Sequence, residues 1–349
     1  MRVLQINTER TWRGGERQTL YTLQGLRDAD IEVELLARAH SPLARRAVEA
    51  GFTVHSAATS AAALSFLLFR SRSWDILHPQ SGKAHSLAIL SKPFHHRPVI
   101  YTRRVNFVPK GLFGKWKYRV TDRIVAISGA IRDTLNQLDV RRVTVIPSAA
   151  HEKSLNRERA EELRRTLKLE GKHIIATTGD LVPQKDPVTM VETIRHLRNL
   201  RQDFIFLHFG NTQMRERVLP LIQQYGLTEC YLLLGHRDNV EDYFALMDIY
   251  LVTGNHTEGL NSSVFDAFLY GVPVVSTLTG GMLDSVADRG LTAPEGDVPQ
   301  LAAHLNSLLS SPDLARDLTE RAGKWVREQV TLPVITERYL ELYQSMLTS

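Results

Sequence analysis

The feature that most constrains this chain is an alternation of short apolar runs with longer segments of helical periodicity, carried through the sequence twice. In the first series, residues 2–6 alternate as a strand does, and Leu20, Leu23 and Leu26 then recur at helical spacing from Glu16 to Arg27. Strand-like runs follow at 32–37, 51–54, 75–78, 99–102, 123–127 and 143–146. A second series begins after a polar, charged helix expected at 155–169, with strands at 173–178, 204–210, 231–234, 249–252 and 273–276. Strands separated by helices pair in parallel through crossovers, so each series predicts a doubly wound α/β sheet. At 349 residues the chain is long enough for two cores of about 150 residues each. The reading is a first domain over 1–150, a second over 151–331 and a linker near 147–153. A helix within 332–349, where Leu332 to Leu347 keep helical spacing, is expected to pack back on the first domain. Two Rossmann-like domains of this kind turn their strand carboxyl ends toward a central cleft.

Composition removes several classes of function. No apolar run approaches the roughly 20 residues that cross a bilayer, and the longest candidate, 64–69, is a short patch. The opening MRVLQIN reads as a strand and not as a signal peptide. Cys230 is the single cysteine, so no internal disulfide forms, which fits a reducing cytosol. Residues 1–150 hold 23 Lys and Arg against 11 Asp and Glu, whereas residues 151–349 hold 20 against 27. A basic half joined to an acidic half predicts that one domain meets an anionic surface or an anionic acceptor. Nucleic acid is not the expected partner, because zinc spacing, an RNP-like aromatic motif and a clear helix-turn-helix are all missing.

The most informative segment is Glu258-Gly259-Leu260-Asn261-Ser262-Ser263-Val264-Phe265-Asp266, followed by Gly271-Val272-Pro273-Val274-Val275. It follows an expected strand and opens a helix that Asn261, Ser262 or Ser263 can cap. The first-turn N–H groups of such a helix carry positive partial charge, a ready seat for a diphosphate. Glu258 and Asp266 bring two carboxylates to one element. Carboxylates suit diols because they accept two hydrogen bonds side by side, so one fits sugar hydroxyls and the other a ribose.

These residues resemble the retaining family 4 glycosyltransferases of GT-B fold, whose pattern runs EGxxxxxxEAxAxGxPVV. The spacing from Glu258 to Asp266 is kept, with Asp in the second place. Gly235-His236-Arg237-Asp238-Asn239-Val240 is similar to the family's GxRxDV element, and Ala245-Leu246-Met247-Asp248-Ile249 to its LLxxADI. Gly280-Gly281-Met282-Leu283-Asp284 resembles GGxxE, and Pro294-Glu295-Gly296-Asp297 resembles PxGD. In the first half, Gly14-Gly15-Glu16 resembles the N-terminal glycine loop, residues 121–128 the ADxVIAVS run, and Val145-Ile146-Pro147 the VIPNG hinge. The resemblance implies a GT-B enzyme that takes a nucleoside-diphosphate sugar, a UDP-sugar by preference. It implies a glycan or lipid-linked acceptor in cell-envelope polysaccharide or lipopolysaccharide synthesis, and neither cofactor nor metal. It assigns Glu258 to the donor sugar hydroxyls, Asp266 to the ribose, and the backbone of Gly259, Leu260, Asn261 and Ser262 to the diphosphate. Arg237 and Val240 belong to the same donor set, as do Gly14 and Gly15 from the opposite domain. Lys185, in Gly179-Asp180-Leu181-Val182-Pro183-Gln184-Lys185, matches the family lysine that neutralises the leaving phosphates. Retention is expected by front-face attack, the leaving phosphate oxygen taking the acceptor proton.

Three departures stand out. Many members have Arg where this chain has Asp180, so Arg17, Arg103 and Arg104 become candidates for the missing phosphate or acceptor cation. Many carry His near the end of the strand at 99–102, where Arg103-Arg104 stand here, and Gln80 occupies a place where an HxH pattern would put a second His. His78 and His85 are expected to be structural. The stretch 103–123 interleaves Arg103, Arg104, Lys110, Lys115, Lys117, Arg119 and Arg123 with Phe107, Phe113, Trp116 and Tyr118, while Pro109, Gly111 and Gly114 argue against one continuous helix. Such a mixture fits a contact with an anionic membrane, hence an enzyme of the cytoplasm peripheral at the inner face of its membrane. Its alternative is a solvated loop whose aromatics pack on the first domain. Two other activities share these features, a sugar-nucleotide 2-epimerase and a sugar-nucleotide-binding protein without catalysis. A dinucleotide oxidoreductase does not, since no GxGxxG follows the first strand.

Overall fold

The computed structural model describes every residue except Lys110, Thr212 and Ser349. The chain divides into two compact units, one of Met1–Ala149 with the chain from Val330 onward, the other of Ala150–Gln329.

In the first unit, β1 (Arg2–Asn7), β2 (Glu32–Arg38), β3 (Val54–Ala57) and β4 (Ile76–Pro79) form a parallel sheet of order β3-β2-β1-β4. The strands β5 (Ile100–Arg103), β6 (Arg123–Ala126) and β7 (Val143–Val145) continue in parallel, joined to β4 by a bridge between Leu77 and Val99. All four residues of β4 and of β5 are buried, as befits strands covered on both faces. The third strand lies later than 51–54, because Gly51 adopts φ +82° and Phe52 N–H returns to Ala47 O, closing the preceding helix over those residues. The C-terminal helix Leu332–Leu347 packs on the helix Gly14–Asp28. Gly25 is the point of closest approach, where a Cβ would stand 2.0 Å from Thr336 Oγ1.

In the second unit, β8 (His173–Thr178), β9 (Phe204–Phe209), β10 (Tyr231–Gly235), β11 (Ile249–Val252), β12 (Val274–Thr277) and β13 (Leu291–Ala293) form one parallel sheet of order β10-β9-β8-β11-β12-β13. The order reverses between β8 and β11, which makes their carboxyl ends the switch point where doubly wound folds leave a crevice. Beneath it Ile175, Phe206, Ile249, Leu251 and Val275 are wholly buried together with Val191, Ile194 and Leu305 from the flanking helices. The sequence reading lacks β13, a three-residue strand with no alternation of its own.

Candidate functional site

At the switch point of the second unit, a small recess is lined by Thr177, Gly179 and Asp180 from the end of β8, His208 from β9, Thr253 after β11, and Lys185, Pro187, Met190 and Asn261. Lys185 reaches it from a turn, Pro183–Lys185, that precedes the helix Pro187–Leu200. Its side chain lies across Gly179, where a Cβ would meet Lys185 Cε and Nζ at 2.9 Å, so the glycine is what gives the ammonium room. Asn261 is buried, and its Oδ1 accepts from Ser263 N–H at 3.2 Å, capping the short helix Ser263–Leu269. Of the other two expected caps, Ser262 makes no side-chain capping bond and Ser263 is itself the first residue of the helix.

Glu258 belongs to the same construction through the backbone. Thr253 Oγ1 donates to Lys185 O at 2.7 Å, Asn255 N–H to Gln184 O at 3.0 Å, and Asn255 Nδ2 to Pro183 O at 2.9 Å. Asn255 O in turn accepts from Glu258 N–H at 2.9 Å. The lysine turn and the glutamate turn are thereby zipped together. A Cβ on Gly254 would touch both Gln184 O and Glu258 Cβ at 3.5 Å. On the other side Gly280 and Gly281 press their Cα atoms onto the carbonyls of Glu258 and Gly259, and a Cβ at either would fall 2.1 Å from those oxygens. The PxGD-like loop closes the rim, Glu295 Oε2 accepting from His256 N–H at 3.2 Å.

The remaining expected residues are placed less centrally. Gly259 and Leu260 are buried between Glu258 and Asn261, Arg237 is exposed beyond β10, and Val240 opens the 3-10 segment Val240–Leu246 half-buried. Asp266 is buried on the helix Ser263–Leu269, with Tyr250 and Tyr270 near it; burial, and then its carboxylate, pushes Tyr270 up to about 12. Asp180 does not stand in for a cation. Its Oδ1 accepts from Asn211 N–H at 2.8 Å and stitches the turn after β8 to the turn after β9.

His208 has no counterpart among the sequence expectations. It is buried, Nε2 lies 3.1 Å from Gly179 O and Nδ1 lies 3.1 Å from Tyr231 OH. A carbonyl only accepts, so Nε2 carries the proton and Nδ1 accepts from the tyrosine. Burial pulls the ring down to about 4, with the Lys185 charge adding to the effect, so it is neutral at pH 7. Only its place near the end of a strand, in Phe206-Leu207-His208-Phe209-Gly210, hinted at a site.

In the first unit, Gly14 and Gly15 form the first turn of the helix Gly14–Asp28 and not a loop. Glu16 is buried beside them and accepts from Arg13 N–H at 3.0 Å. Arg104 packs along Gly15 and donates to Gln80 Oε1 at 2.6 Å, burial holding its guanidinium below its usual value. Arg17 is half-exposed on the same helix, its guanidinium over the Tyr21 ring. The expectation for Arg103 is corrected: the residue is 0% exposed, and its guanidinium is spent on Val105 O, Phe107 O and Tyr118 OH. It holds the segment after β5 in place and has no surface left for a phosphate. Within 103–123 the helix Gly111–Arg119 runs through Gly114; Lys110 lies outside the described residues.

Two family models account for most of the chain: "Glycosyltransferase Family 4" matches residues 12–151 and "Glycosyl transferases group 1" matches residues 158–325. A lipopolysaccharide core biosynthesis glycosyltransferase, LpsE of Rhizobium meliloti, is 24% identical over 174 residues, 49% of this chain and 50% of that protein. The 2-deoxystreptamine glucosyltransferase of Streptomyces kanamyceticus is 29% identical over 198 residues, 55% of this chain and 50% of that one. The chain thus spans about half the length of the curated relatives it matches. Among solved structures, Anabaena HepE in complex with UDP and glucose aligns at a TM-score of 0.85, with 16% identity, over 99% of this chain and 100% of that one.

Proposed function

The chain belongs to the family 4 glycosyltransferases of GT-B fold, and from that premise we propose that it moves a sugar from a UDP-sugar onto a glycan or lipid-linked acceptor of the cell envelope, retaining anomeric configuration. The observation that carries this reading is the zipped pair of turns at the β8–β11 switch point, which ties the turn bearing one cation, Lys185, to the turn bearing one carboxylate, Glu258. A departing nucleoside diphosphate gains negative charge as the glycosidic bond breaks. A fixed ammonium therefore favours the transition state over the ground state. Glu258 accepts hydrogen bonds from vicinal hydroxyls of the donor sugar, Asp266 serves the ribose, and the turn Gly259–Ser262 meets the diphosphate with backbone N–H groups. The leaving phosphate oxygen takes the acceptor proton, so no separate base is needed. UDP is favoured as the leaving group because HepE, of like fold, was solved with it.

The acceptor is proposed to lie at an anionic membrane surface. Between Asp75 and Asp122 the sequence has no Asp or Glu at all. In that stretch the helix Gly111–Arg119 exposes Leu112 at 90%, together with Phe113 and Trp116, alongside Lys115 and Arg119. Rings and leucine suit the headgroup layer while the cations meet anionic lipid. No helix among the described residues is long and apolar enough to cross a membrane.

A panel of UDP-, GDP- and ADP-sugars screened by thermal stabilisation identifies the donor. Glu258→Ala is then expected to abolish transfer with the unfolding midpoint unchanged; full activity in that variant would refute the assignment. An epimerised donor formed without acceptor would mark a 2-epimerase, and tight nucleotide binding without turnover a binding protein. Flotation with anionic but not neutral vesicles, lost in Leu112→Asp, tests the membrane contact.

A further inference from the structure

We infer that His208 is a positioning residue for Lys185: by holding the Gly179 carbonyl from below, it fixes the surface on which the lysine side chain lies. The inference rests on the donor reading above and concerns a residue that reading does not use. Gly179 is fixed from three sides. Its N–H donates to Phe209 O at 2.7 Å, its carbonyl accepts from His208 Nε2–H at 3.1 Å, and Gly210, at φ +149°, backs onto that carbonyl so closely that a Cβ would stand 2.1 Å from it. The face of Gly179 left over carries Lys185.

The choice of residue follows from what this place requires. The carbonyl needs a donor, or it is an orphaned buried acceptor. A cationic donor would repel the ammonium above it and compete for the anion that Lys185 is there to meet. A neutral imidazole satisfies the carbonyl without charge. Tyr231 keeps it in that state by donating to Nδ1, which fixes the tautomer that puts the proton on Nε2. Among the described residues, the charged and hydrogen-bonding groups facing the ring are Lys185, Asp180, the Gly179 carbonyl and Tyr231, so the cation among them is the one being positioned.

The test is a double-mutant cycle read as the ratio of UDP to UMP affinity by titration calorimetry, since that ratio isolates the distal phosphate. Lys185→Ala is expected to reduce the ratio, which tests the donor reading itself. His208→Met, which keeps an apolar side chain but loses the donor, is expected to reduce it about fivefold to tenfold, the size of one net hydrogen bond. His208→Gln, which can return an N–H to Gly179, is expected to recover most of it. In Lys185→Ala/His208→Met the second change should cost nothing further. Full additivity, or a ratio unchanged by His208→Met in a protein whose ratio falls with Lys185→Ala, overturns the inference and leaves the donor reading standing. A ratio insensitive to Lys185→Ala, or no binding of UDP, sinks both. Should His208→Met fail to fold, His208→Gln and His208→Asn supply the comparison. Asparagine is too short to reach Gly179 from that position, so equal ratios in the two would likewise overturn it.

Discussion

In the first unit the polar groups at the strand carboxyl ends form a buried network with the C-terminal helix, whereas in the second several of them line a recess. Gln5 of β1 donates to both His78 Nδ1 and Tyr343 OH at 3.2 Å, and His78 Nε2 lies 2.7 Å from Thr102 Oγ1. Gln80 donates to Gln5 Oε1 at 2.8 Å and accepts from Arg104. Tyr343 and Tyr339 come from the helix Leu332–Leu347, so the network ties the end of the chain to the sheet. The second unit repeats the strand order of the first over six strands; there Thr178 bonds Tyr250, His208 bonds Tyr231 and Thr277 bonds Gly254 O, while Lys185, Asn261 and Asp180 line a recess. Two histidines condense the difference. His78 is pulled down to about 3 by burial and the Arg104 charge, His208 to about 4, so both are neutral. One is spent on cohesion, and the other lies under a lysine. The lesson is that one frame can bond its polar groups to one another or turn some of them to a recess, and that a buried histidine serves either arrangement from a different strand.

If that contrast holds, damage to the two regions should be read by different instruments. The largest effect is expected from Lys185→Ala, which should lower kcat for transfer about 10²–10³-fold, as removal of one preorganised electrostatic group does, with stability unchanged. A loss of stability in place of activity would place Lys185 with the cohesive groups. His78→Phe should do the reverse. Taking one partner each from Gln5, Thr102 and Tyr343, it should cost roughly 2–4 kcal/mol in denaturant unfolding while UDP affinity stays as it was. Gly25→Ala, which forces a methyl group onto Thr336 and Leu332, should cost about 1–3 kcal/mol and loosen the C-terminal helix in hydrogen exchange.

The pH dependence sharpens the comparison further. A histidine whose folded pKa lies below its usual 6.5 binds more protons unfolded than folded. Its stabilisation is complete above pH 6.5 and is lost as the pH falls toward the folded value, by at most ~1.4 kcal/mol per pH unit for each group. Among the described residues the first unit has His78, His85 and His95 in this state, and the second has His208. Between pH 6.5 and about 4 the first unit should therefore lose protection faster in peptide-resolved hydrogen exchange. Equal loss in both would contradict the buried, neutral assignment.

Much of the frame was legible because strand and helix periods differ, and the limits of β8 and β11 are those read from the sequence. The third strand was misplaced because the four residues 51–54 look apolar enough to be a strand, while Gly51 and the bond from Phe52 back to Ala47 belong to a helix end. In the second unit the spacing located Asn261, which lines the recess; Glu258, expected beside it, joins the site through the backbone and is not among the lining residues. Arg103 and His208 were not legible, for one shared reason. What each does depends on partners from neighbouring strands and loops, Tyr118 and Phe107 for the arginine, Gly179 and Tyr231 for the histidine. Polarity in a sequence does not say whether a group faces solvent or another polar group.

The most direct measurement is a crystal structure of the protein with UDP. The account predicts the diphosphate within hydrogen-bond reach of Lys185 Nζ and of the N–H groups following Gly259, with Glu258 beside the distal phosphate. Nucleotide bound elsewhere, with Lys185 still lying over Gly179 and touching no phosphate, would contradict it.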